Sequence, residues 1–105
     1  KEAEAKAQEG EKAKKNYSDA QYQEMVSDLL LNMKGMNTAY EGNLVVNLFK
    51  DKIKSQGDLE ALNNAWGTKD GDTLKQWLYD DSLWARVKKV LKDKGLSVSM
   101  MAAGE

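Results

Sequence analysis

This sequence predicts an all-α protein, a compact bundle of about five short helices, and three observations predict it. Apolar side chains recur at three- and four-residue spacings from Tyr22 to Leu91, cap and turn residues interrupt those runs at short intervals, and strand signals are lacking throughout. No helix in such a set is long enough to be stable alone, so tertiary burial must hold the domain together.

Residues 1–16 are mainly Lys, Glu, Ala, Gln and Gly, with no large apolar side chain to anchor them to a core. They are read as a polar linker or extension, either solvated or a helical rod toward another domain. A helical domain follows over residues 17–95. Ser18-Asp19-Ala20-Gln21 forms a capping box ahead of Tyr22, Met25, Val26, Leu29, Leu30 and Met33, one face of a first helix. Gly35 and Asn37 tolerate a left-handed backbone and end it, and Thr38 with Glu41 starts the next. Leu44, Val45, Leu48, Phe49 and Ile53 form the second apolar stripe, and Ser55-Gln56-Gly57-Asp58 is read as a break. Leu59, Leu62, Ala65 and Trp66 mark a third helix, and Gly67 to Gly71 a turn. Leu74, Trp77 and Leu78 mark a fourth helix. Asp81-Ser82 is placed to cap a fifth, which carries Leu83, Trp84, Val87, Val90 and Leu91 and closes at Lys92, Lys94 and Gly95. Residues 96–105 form a C-terminal strap or tail. The alternation Leu96-Ser97-Val98-Ser99-Met100 allows a short extended segment able to pair with another chain, or a strap over the core.

Composition narrows the chemistry. A chain of 105 residues supports one small domain. Its 16 basic and 17 acidic residues leave a net charge of −1, which gives no electrostatic case for nucleic acid as a default partner. The chain has no cysteine and no histidine, so thiolate and imidazole chemistry are excluded. No apolar run approaches the roughly 20 residues that span a bilayer, and the chain reads as soluble. It starts at Lys1 and stops at Glu105 without a closing element, and is expected to be a fragment or processed product of something longer.

Catalytic signatures are missing: no glycine-rich phosphate loop, no nucleophile elbow and no histidine to activate a serine. The carboxylates of Asp80 and Asp81 are sequence neighbours, poorly placed to face each other across a cleft. Asp70-Gly71-Asp72 fails the EF-hand spacing, because Trp77 stands where the bidentate glutamate belongs. Arg86, Lys88, Lys89, Lys92 and Lys94 make a basic patch on the last helix, either a solvated face suited to the helix dipole or a phosphate-binding surface. Trp66, Trp77 and Trp84 are read first as core residues, and Met100-Met101 with one or more tryptophans as a partner surface.

From Met33 to Leu91 the chain resembles a single annexin-type repeat. The likeness begins at Met33-Lys34-Gly35-Met36-Asn37-Thr38, with Glu41 three residues after the threonine, and continues through four short helical patterns. The stretch from Ala65 to Leu78 is similar to annexin-like domains of bacterial and bacteriophage proteins. The resemblance implies a calcium ion held by the carbonyl oxygens of Met33, Gly35 and Asn37 and by the carboxylate of Asp81, with Asp80 as its substitute; calcium takes six to eight oxygens. Asn37 stands where the family has a second glycine, and Ala39-Tyr40 where it has an acidic pair. The same residues serve equally as helix caps without a metal.

The expected function is therefore a non-catalytic structural or interaction module within a larger protein or assembly, with other protein chains as partners and no cofactor. A bacteriophage virion component is its most specific form. The alternative is calcium-dependent binding to a phospholipid surface, and a third class is a cell-wall module that would need a groove of exposed aromatics.

Overall fold

The computed structural model describes residues 14–34 and 39–102, which form five α-helices and a closing 3-10 turn, with no strand among them. The predicted all-α bundle is what the chain forms. Helix α1 (Asp19–Lys34) opens with the reciprocal capping box: Ser18 N–H donates to Gln21 Oε1 at 2.8 Å, and Gln21 N–H to Ser18 Oγ at 3.2 Å. It buries Tyr22, Met25, Val26, Leu29 and Met33 on one side. Helix α2 (Ala39–Lys52) buries Gly42, Val45, Val46 and Phe49, and Ile53 continues the same arc. That arc departs from the predicted stripe: Val46 is inside while Leu44 is 37% exposed. The start expected at Thr38 lies outside the described residues.

The supposed break at Ser55–Asp58 is instead the start of α3 (Gln56–Trp66), where Ser55 Oγ accepts the Asp58 N–H at 3.0 Å. Between α3 and α4 (Leu74–Asp80) the chain makes a two-residue hairpin. Lys69 and Asp72 exchange backbone bonds of 2.9 and 3.0 Å across Asp70 (φ 53°) and Gly71 (φ 85°). Positive φ at both central positions is what a type I′ turn demands, and Asp-Gly meets it at little cost. Trp66 Nε1 donates to Asp72 O at 3.4 Å and Trp77 Nε1 to Lys69 O at 2.8 Å. The two indoles meet edge to face at 5.9 Å. They clamp the turn, so Asp70-Gly71-Asp72 is a hairpin rather than an ion loop.

Thr73 caps α4 by accepting the Gln76 N–H. Asp81 and Ser82 were expected to cap the next helix, but they terminate α4. Ser82 takes φ 63°, its N–H reaches Tyr79 O at 3.0 Å, and Leu83 N–H reaches Leu78 O at 2.8 Å. Leu83 is buried, and this reversal is what turns it inward; it then occupies the cap position of α5 (Trp84–Asp93) without a side-chain bond. Gly95 (φ 78°) ends α5 in the same way, with Leu96 N–H on Leu91 O at 3.0 Å. Residues 96–102 then fold back as a strap. Leu96 and Met101 are buried, so Met101 is not available to a partner, and residues 99–102 form a 3-10 turn instead of an extended segment. Trp66 is likewise buried, while Trp77 and Trp84 are half-buried against the core.

Helix α1 packs chiefly on α3 and α2, α2 on α5, and α4 on α5 and the strap. None of the described helices is long and apolar enough to cross a membrane. At the centre of the α1–α3 contact lies Asp58, with no exposed surface. Its Oδ1 accepts from Asn16 N–H at 2.8 Å and Tyr22 Oη at 2.6 Å, and its Oδ2 from Asn16 Nδ2 at 2.8 Å and Lys54 N–H at 3.0 Å. Ser55 Oγ donates to Lys14 O. Residues 14–16, read as having nothing to anchor them, are thus tied down through polar atoms. Burial alone would raise the Asp58 carboxyl, but the hydrogen bonds from Tyr22, Asn16 and Lys54 outweigh it and hold it below its ordinary value. Burial, reinforced by the bond to Asp58 and its charge, pushes Tyr22 up to about 12.

Replacing Asp58 by Ala is expected to lower the unfolding free energy in urea by about 3 kcal/mol, because each buried donor left unsatisfied costs about 1–3 kcal/mol. Since the folded-state carboxyl titrates below its unfolded value, the stability it confers is complete above the ordinary carboxylate range, about pH 4, and is lost as pH falls through the folded value. The variant should therefore show a flatter acid limb than the wild type; equal limbs would exclude Asp58 as the source.

Candidate functional site

Helices α2 and α5 pack along one side but leave a surface cleft of about 470 Å³ between them, lined by Val46, Asn47, Lys50, Arg86, Lys89, Val90, Asp93 and Lys94. The amphipathic pattern of α5 builds it. Val87 and Leu91 point into the core, Val90 is half-buried, and Arg86 and Lys89 stand at the rim. From α2, Val46 supplies the floor and Lys50, one turn later, the opposite rim. Four basic side chains thus face an apolar floor with one carboxylate among them.

Two of these cations are positioned by uncharged oxygens. Arg86 donates to Asn43 Oδ1 at 2.8 Å. Lys94 Nζ donates to the carbonyls of Lys50 at 2.5 Å and Ile53 at 2.8 Å, which caps the C-terminal end of α2. Such bonds orient the cation without neutralising it, so positive potential remains at the rim. Lys89 pairs with Asp93 at 3.1 Å, but both side chains are mostly in solvent, and an exposed i,i+4 pair is worth only about 0.3–0.5 kcal/mol. The arrangement can hold an anionic, partly apolar surface; its ammonium and guanidinium groups offer hydrogen-bond donors and charge.

The basic patch read from the sequence is therefore divided. Arg86, Lys89 and Lys94 line the cleft, and Lys88 and Lys92 do not. Missed altogether were Val46 and Lys50 across it. Their four-residue spacing on α2 was visible, but not the pairing of α2 with α5.

The residues named for calcium fall only partly within the described residues. The side chain of Met33 is buried in the core. Gly35 and Asn37 lie outside the described residues. Asp81 sits at the end of α4, and Asp80 is engaged by Gln76 Nε2 at 2.9 Å. Among the described residues no group of three or more acidic side chains converges to hold a metal ion. One feature of Asp81 does suit a ligand: its Oδ2 is buried without a hydrogen-bond partner. Burial, with the neighbouring charge of Asp80, holds its carboxyl above the ordinary value.

No protein-family model, no curated protein and no solved structure matches this chain. The resemblance to an annexin-type repeat accordingly rests on the residues quoted for it.

Because the folded-state carboxyl of Asp81 titrates above its unfolded value, its contribution is present in acid and lost as pH rises through the folded value. Asp81→Asn is thus expected to melt at the same temperature as the wild type or higher at pH 7, with the difference closing below about pH 4. A lower melting temperature at pH 7 would mean that the carboxylate has a stabilising partner.

Proposed function

We propose that this chain is a non-catalytic interaction module of a larger assembly, and that it works by seating an acidic, partly apolar protein segment in the cleft between α2 and α5. The observation that carries the proposal is the rim of Lys50, Arg86, Lys89 and Lys94 over Val46 and Val90, with Arg86 and Lys94 held by uncharged oxygens. A desolvated floor beneath fixed charges gives both adhesion and orientation to a docked helix. Asp58 supports the same reading, because all four of its acceptor positions are filled by donors that hold the fold. An annexin-repeat-like module acting as a bacteriophage virion component is the most specific form of the proposal, and it rests on the likeness of Met33 to Leu91.

A titration of an acidic amphipathic helical peptide into labelled protein, followed by amide chemical shifts, should move Val46, Lys50, Arg86, Lys89 and Val90 together, and the shifts should vanish in about 1 M salt, where the Debye length is about 3 Å. Shifts that are absent or scattered over the surface would remove the cleft as the working site.

The unpartnered Oδ2 of Asp81 supports a second reading, calcium-dependent binding to a phospholipid surface. In it, Asp81 would supply one oxygen and, as the annexin-type resemblance implies, the carbonyls of Met33, Gly35 and Asn37 the others. Calorimetric titration of calcium should then show saturable heat that Asp81→Ala abolishes; no heat up to millimolar calcium would end it.

A further inference from the structure

The outward face of α1 carries the complement of the cleft. Ala20, Gln23, Glu24, Ser27 and Asp28 share one surface opposite the buried Tyr22, Met25, Val26 and Leu29. One turn beyond Asp28 on that face is Leu31, 74% exposed. The face is thus an acidic stripe ending in an apolar side chain. The cleft is an apolar floor with a basic rim. On the strength of the interaction reading above, we propose that the occupant of the α2–α5 cleft is the outer face of α1 from a second copy of this chain, with Leu31 against Val46 and Val90, and Glu24 and Asp28 against Arg86 and Lys89.

Three properties argue for this partner. The charges match in sign, two carboxylates on one helical face against Arg86, held by a neutral acceptor, and Lys89, whose solvent-exposed pairing with Asp93 is weak. The 16-residue α1 is about 24 Å long, enough to span the 14-residue α2, about 21 Å, beside which it would lie. The net charge of −1 lets copies approach without overall repulsion, although the last helix and the lysine after it carry five basic residues against one acidic. Donor face and acceptor cleft are different surfaces of one molecule, so the contact is heterologous. Each copy presents a free face and a free cleft to the next, and the association propagates as a chain or closes as a ring.

Sedimentation velocity of the full chain, from micromolar to millimolar concentration in low salt, tests this. The expected result is a rise in weight-average mass with concentration that about 1 M salt reverses. Two double variants, Arg86→Glu with Lys89→Glu and Glu24→Lys with Asp28→Lys, should each remain monomeric. Their equimolar mixture should associate, since each supplies the surface that the other lacks. All four positions are exposed, so both variants should keep the helix content of the wild type, which circular dichroism checks. A wild type that stays monomeric at every concentration overturns the inference, and so does association that persists in either variant alone. The acidic-peptide titration separates the two failures: a monomer whose cleft still binds the peptide loses self-assembly but keeps the interaction reading, whereas a monomer that binds none loses both. Binding of anionic vesicles by a monomer through Arg86 and Lys89 would assign the cleft to lipid and likewise overturn the self-contact.

Discussion

A single carboxylate with no exposed surface organises this small domain. Asp58 lies in the first turn of α3 and receives donors from three other places in the chain: Asn16 in the leading segment, Tyr22 on α1 and Lys54 at the α2–α3 junction. Apolar burial drives collapse but tolerates sliding, since one leucine packs against a neighbour nearly as well as another. A buried anion tolerates none, because displacing any one donor leaves charge uncompensated in a low-dielectric interior. The same first turn also holds the other end of the chain: Gln56 exchanges two hydrogen bonds with the backbone of Ser97, 2.9 Å from its Nε2 and 2.8 Å to its Oε1. Entry segment, core and exit strap converge on four consecutive residues, Ser55 to Asp58.

That turn was the least legible part of the sequence. The spacing Ser55-x-x-Asp58 matches the cap spacing Ser18-x-x-Gln21, but Gly57 and the surrounding polar residues suggest a break. Nothing local announces that Asp58 is buried, since its donors come from as far as 42 residues away. The long stripe from Tyr22 to Met33 was legible because burial on one helix face writes itself at a period of 3.6. On α2 the same logic slipped by one position: Leu44 and Val46 flank Val45 with similar hydrophobicity, and only the packing against neighbours decides which turns inward. At Asp81-Ser82 two good cap residues stood before an apolar run, yet the need to bury Leu83 turned them into the end of α4.

The candidate site was half legible for a related reason. Positive charge on α5 shows in the residue types alone, and Arg86, Lys89 and Lys94 were found that way. A cleft requires two walls, and Val46 and Lys50 lie about 40 positions earlier on a helix whose polar face looked ordinary. The net charge conceals the segregation, because the acidic α1 and the basic α5 enter the sum with opposite signs. The calcium reading drew on Gly35 and Asn37, outside the described residues, and on Asp81, whose buried Oδ2 is the part the sequence could not show.

The attachment of the leading segment has a mechanical consequence. Asn16 bonds to Asp58 through both its backbone and its side chain, and Lys14 O accepts from Ser55, so tension on the preceding residues enters at the interior of the fold rather than at the start of α1. Load would be shared by several hydrogen bonds anchored in α3, and α1 would be bypassed until they rupture together. A domain held this way resists pulling from its leading end with the strength of its core, a useful property in any array whose members are under strain.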